Sequence, residues 1–134
     1  MPVPSPSTRV AHTAAGAVAV GPYSHAVDAG FFVVCSGQTP LDSTTGKLVE
    51  GDIGAQTRQV FANLRAALDA AKLTPDDVVK ANVFLGDMDD FPAMNAVYAE
   101  MFAEPYPART TIGVASLPLG ARVEIELMAH RPGA

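Results

Sequence analysis

The segment FFVVCSG, residues 31–37, carries apolar side chains on both faces of the strand it would form. A strand that alternates apolar and polar residues can leave one face in water. One that is apolar throughout needs a cover on both sides. Only two stretches of the chain have the helical period to supply that cover. In the first, Ile53, Val60, Leu64, Ala67, Leu68 and Ala71 share a face, and Asp52 is placed to cap the N-terminus. In the second, Met94, Val97, Tyr98, Met101 and Phe102 share a face, and Asp90 and Pro92 suit the first turn.

The remaining patterned segments read as strands. TRVAHT fits an edge strand, and SHAVDAG runs through Gly30 into FFVVCSGQ as a hairpin. VVKANVFLGDM alternates, with Val79, Ala81, Val83 and Leu85 on one side, and two further strands close the chain. AAGAVAVGPY reads as a small-residue loop and DSTTGK as a turn. About six strands and two helices predict an α+β fold in which both helices pack on one face of the sheet. There is no internal repeat or linker, so residues 1–134 read as one domain. The second face would then carry Lys80, Asn82, Phe84, Glu124 and Glu126. Either it is an ordinary solvated face, or a partner subunit covers it and the polar groups line a cleft between subunits.

Composition removes several classes of function. A chain of 134 residues can bury roughly two thirds of its unfolded surface and needs no disulfide or metal to hold it together. Nine basic against fourteen acidic side chains leave a net charge of −5, which argues against a nucleic-acid binder with a basic stripe. The lone Cys35 has no internal disulfide partner, and its surroundings read as those of a small buried apolar residue. MPVPSPSTRV lacks an apolar core of secretory length, and FFVVC and AVAV are far short of a membrane span. The expectation is a cytoplasmic protein. His12, His25 and His130 have no metal-ligand spacing, GDMDD lacks the spacing of a calcium loop, and no phosphate-binding glycine loop occurs. No metal or organic cofactor is expected.

The chemistry-bearing segment is PARTTIGVASLPLGARVEIELMA, where Arg109 opens one strand and Glu124 and Glu126 share a face of the next. The planar fork of an arginine can hold a carboxylate through two parallel hydrogen bonds, which lysine cannot reproduce. An ion pair with Glu124 or Glu126 is the alternative. Pattern alone does not separate the two glutamates.

GPYSHAV, SGQTPLD, NVFLGDMDDFPAMNAVYAEMF and the closing segment, in this order and spacing, resemble the RidA family, also called YjgF or UK114. The resemblance runs from about Gly21 to His130, and the closing segment is its most specific part. It implies a chorismate-mutase-like fold and a homotrimer with clefts between neighbouring subunits. It also implies hydrolysis of reactive enamines and imines such as 2-aminoacrylate to 2-oxo acids and ammonia, the activity of a 2-iminobutanoate/2-iminopropanoate deaminase. Arg109 matches the family's substrate-binding arginine and Glu124 its acid–base glutamate. Tyr23, Ser36, Gly37, Phe84 and Asn95 match positions that border the ligand. Thr111 departs from the cysteine that many relatives carry two residues after the arginine, so no thiol mechanism is available there. An endoribonuclease, or a non-catalytic trimer that binds small 2-oxo acids, are the alternatives from other classes.

Overall fold

The computed structural model describes residues 9–15 and 21–132, so residues 16–20 of the small-residue loop lie outside the described part. The strands are β1 (Arg9–His12), β2 (Ala26–Ala29), β3 (Phe32–Gln38), β4 (Val78–Leu85), β5 (Ala108–Gly113) and β6 (Val123–His130). The helices are α1 (Ile53–Ala70) and α2 (Phe91–Met101). All six strands form one sheet in the order β1-β2-β3-β6-β4-β5. Every pairing is antiparallel except β4 with β5. Parallel neighbours need a long crossover, and α2 provides it. The hairpin between β2 and β3 turns at Gly30, whose φ of 82° suits glycine.

Both helices lie against the face that carries Val33, Cys35, Ala81, Val83, Leu85, Ile125, Leu127 and Ala129, all buried. From α1 come Val60, Leu64, Ala67 and Leu68, and from α2 Met94, Val97 and Tyr98. Asp52 caps α1 by accepting from the Ala55 N–H at 2.9 Å, as its position predicts. Asp90 and Pro92 stand at the start of α2, as their positions predict, with Asp90 as the N-cap residue and Pro92 in the first turn. The Asp90 side chain makes no cap hydrogen bond and accepts instead from Arg122 at 2.8 and 3.3 Å.

Two β-bulges displace the simple alternation. In β4, Val78 pairs with Ala129 and Lys80 with Met128, so Val79 is a surplus residue. Val78 therefore takes the core side, and Val79, expected there with Ala81, Val83 and Leu85, is only half-buried. In β3, Ser36 and Gly37 together face the single residue Glu126. That extra residue keeps both Cys35 and Gln38 in the core and turns the backbone between them outward. The loop beyond the bulge is fixed from below, since buried Asn63 of α1 donates to the carbonyls of Thr39 and Leu41 at 3.1 and 2.9 Å.

Among the described residues, nothing covers the opposite face. Phe32, Val34 and Met128 lie there, 48 %, 45 % and 38 % exposed, in paired strands. No helix among the described residues is long and apolar enough to cross a membrane.

At the far edge, buried Asp28 of β2 accepts from Arg131 Nε at 3.0 Å and Nη2 at 2.7 Å, and meets His12 Nε2 at 2.6 Å. Arg131 Nη2 also donates to the Ala71 carbonyl at 3.0 Å, which fastens the end of α1 to the sheet.

Candidate active site

The β4–β5 register sets Arg109 beside Ala81 and Thr111 beside Val83, so both side chains face the helices. Arg109 Nη1 donates to Asn95 Oδ1 of α2 at 2.7 Å. The guanidinium carbon lies 4.6 Å from the ring centre of Tyr98 and 5.5 Å from that of Phe91. It forms no ion pair with any described residue. A cavity of about 430 Å³ opens beside it, lined by Asn95, Tyr98, Ala99, Tyr106, Pro107 and Arg109. Thr111 Oγ1 is buried without a hydrogen-bond partner among the described residues.

Glu124 belongs to the other face. It stands opposite Phe84, and Glu126 opposite Asn82, in the β4–β6 register. An ion pair between Arg109 and either glutamate, the alternative reading of the sequence, therefore does not form within the chain. Asn82 Nδ2 donates to Glu126 Oε2 at 3.3 Å. Glu124 packs over the β3 bulge. A Cβ added to Gly37 would overlap Glu124 Oε2 and lie 3.1 Å from its Cδ, so glycine is the residue that admits the carboxyl group. Burial raises the Glu124 carboxyl above its ordinary range, and the neighbouring Glu126 charge adds to the effect.

The bulge also holds the segment before β2. Ser36 Oγ donates to the Ser24 carbonyl at 2.6 Å, and the Ser36 N–H to the His25 carbonyl at 3.0 Å. The ring of Tyr23 stands edge-on to that of His25, centres 6.2 Å apart. His25 is buried, with Nδ1 accepting from the Ala14 N–H at 2.8 Å. These tethers shape a second cavity of about 270 Å³, lined by Tyr23, Ser36, Gly37, Thr39, Pro118 and Glu124.

The residues singled out in the sequence thus fall into two groups on opposite faces of the sheet. Arg109, Asn95 and Thr111 face the helices. Glu124, Tyr23, Ser36 and Gly37 gather on the other side, with half-buried Phe84 beside Glu124. Sequence reasoning missed Tyr106, Thr39 and Pro118 as cavity walls, and it assigned Tyr98 to the core alone. Pro107, two residues before the arginine, was a visible signal for the neighbouring wall residue Tyr106. Cys35 offers no nucleophile, because burial pushes its thiol up to about 11. No group of three or more His, Cys, Asp and Glu side chains among the described residues is arranged to hold a metal.

Comparison with known proteins gives concordant results. The family model described as Endoribonuclease L-PSP matches residues 13–131. A RutC family protein of Pyrococcus horikoshii is 49 % identical over 84 % of this chain and 89 % of its own. A protein of Dermatophagoides farinae named 2-iminobutanoate/2-iminopropanoate deaminase is 47 % identical over 80 % of this chain and 84 % of its own. Among solved structures, RidA from the Antarctic bacterium Psychrobacter sp. superposes with a TM-score of 0.83 at 41 % identity, covering 96 % of this chain and 98 % of that one.

Proposed function

The chain belongs to the Endoribonuclease L-PSP family, the RidA/YjgF/UK114 proteins, and from that premise we propose that it hydrolyses reactive 2-imino and 2-enamino acids to 2-oxo acids and ammonia. The observation that carries this reading is an arginine beside an open cavity with no carboxylate partner among the described residues, in a protein whose other sheet face holds a carboxyl group with a raised pKa. Arg109 binds the substrate carboxylate through its planar edge. Glu124, protonated, gives a proton to the enamine carbon or the imine nitrogen. As a carboxylate it then takes one from the water that adds to the C=N carbon, and the carbinolamine collapses to the 2-oxo acid with loss of ammonia. A group tuned toward neutral pH contributes about 10²–10⁴-fold to such transfers. The name of the Dermatophagoides relative supports this substrate class.

Arg109 and Glu124 face opposite sides of one sheet, so a single chain cannot close both on one ligand. The exposed strip of Phe32, Val34 and Met128 gives a second copy an apolar face to cover, each such side chain contributing on the order of 1.5–3 kcal/mol when fully buried. The active species in this reading is a homotrimer. Each cleft takes the Arg109 half-site of one subunit and the Glu124 half-site of its neighbour, with Tyr23, Ser36, Gly37 and Phe84 on the glutamate side. Asn95 and Thr111 come with the arginine. An RNA substrate fits this arrangement poorly, given a net charge of −5 and two glutamates on the face that holds Glu124.

The test is to generate imines in situ with an amino-acid oxidase and follow their lifetime by semicarbazide trapping. Added protein should shorten that lifetime catalytically, without metal or cofactor. An unchanged lifetime across small and large side chains, with assembled protein, would overturn the assignment.

A further inference from the structure

A guanidinium group has an edge and a face, and they do different work. All five N–H donors lie in the plane and point outward from the edge, whereas the face has none. Asn95 takes one donor at Nη1. The two aromatic rings lie within cation–π range of the guanidinium carbon, and such contact spends none of the remaining N–H groups. A carboxylate in the same place would have held the arginine by neutralising the edge that the substrate needs.

We propose that Tyr98, assisted by Phe91, is a positioning residue for Arg109: its ring seats the guanidinium while leaving the hydrogen-bonding edge charged and open toward the cavity. The inference rests on reading Arg109 as a carboxylate clamp. Tyr98 is 5 % exposed and immobilised by neighbours. Phe61 of α1 meets it edge-on with centres 5.9 Å apart, and Phe102 is tilted against it at 4.9 Å. Phe61 and Phe102 also meet edge-on, at 5.7 Å, which completes an aromatic cluster behind the seat. The Tyr98 hydroxyl has no hydrogen-bond partner among the described residues, so the ring is the part in use. Burial raises the phenol's pKa, against a smaller opposing pull from Arg109, and so keeps the ring neutral at physiological pH.

The experiment compares Tyr98→Leu, Tyr98→Phe and Phe91→Leu in the assembled protein. Three readouts are used: ¹⁵N relaxation of the Arg109 Nε–H without ligand, binding of 2-oxobutanoate, and imine-hydrolysis kinetics. Tyr98→Leu should mobilise the Arg109 side chain and raise both the 2-oxobutanoate Kd and KM by about tenfold, with kcat within about twofold. Tyr98→Phe, which restores a ring without the hydroxyl, should recover most of that loss, to within about threefold. Phe91→Leu removes the more distant ring and should shift the same quantities less. Arg109 remaining ordered in folded Tyr98→Leu, or equal losses in the Leu and Phe variants, would overturn the proposal. If Tyr98→Leu does not fold, an unchanged Arg109 order in Phe91→Leu does so. Wild-type protein that neither binds 2-oxobutanoate nor consumes imines would instead defeat the clamp reading, while the relaxation measurement still decides the seat.

Discussion

Two partly buried arginines in this chain are held by opposite means. Arg131 is matched to a buried carboxylate by two nitrogens, with His12 on the same Asp28 and the Ala71 carbonyl, at the C-cap of α1, completing the set. Its charge is spent inside the protein. Arg109 receives a single neutral acceptor, Asn95, and two ring faces. The first arrangement fastens secondary structure together, and the second, in the function proposed above, keeps a charge in reserve for a ligand. Burial alone does not tell a structural arginine from a binding one. The identity of the partner does.

Variants can break that contrast, beginning with the largest effect. Asp28→Ala leaves Arg131 buried without its counter-charge and should cost about 3–5 kcal/mol of stability by urea unfolding, while protein that stays folded keeps its imine-hydrolysing rate. Arg109→Lys should do the reverse. The melting temperature changes little, and kcat/KM falls roughly a hundredfold, because a point charge cannot reproduce oriented two-pronged binding worth about 3 kcal/mol. A comparable loss of stability in Arg109→Lys would erase the distinction between the two sites.

Gly37→Ala tests the glutamate half-site. The new Cβ forces Glu124 off the bulge and should lower kcat by about tenfold or more in assembled protein. The smallest effect is electrostatic. The folded state retains the Glu124 proton to higher pH than the unfolded chain does, so its contribution to stability is present at low pH and fades as pH rises through the carboxylate range. Glu124→Gln should flatten that part of the stability–pH profile. Glu126→Gln removes the secondary cause of the shift and should move the alkaline limb of kcat to lower pH, by less than about one unit.

Local patterns were legible in the sequence. The hairpin at Gly30, the Asp52 cap and the buried face of α1 each depend on a few neighbouring residues, and each appears where the spacing predicts it. The bulges were not legible. A one-residue surplus is set by the partner strand, so Val79 looks no different from Val78 until β6 lies beside it. The Asp28–Arg131 pair joins residues 103 positions apart, and no local signal connects them. At the candidate site, composition and spacing raised Arg109 and the two glutamates, and family resemblance supplied Asn95, Tyr23, Ser36 and Gly37. Tyr98 has the helical spacing of an ordinary core residue, and only the tertiary contact gives its ring a second role.

The placement of Arg109 and Glu124 on opposite faces makes the two residues genetically separable. If each cleft draws its arginine from one subunit and its glutamate from the next, Arg109→Lys and Glu124→Gln chains damage different halves of every cleft. Unfolded and reassembled together in equal amounts, these two impaired proteins should complement one another. Random assortment would leave about a quarter of the clefts with both native residues, provided the interface is the head-to-tail kind that closes a ring. Recovery near that fraction identifies a shared catalytic unit, and none at all would confine catalysis to the single chain.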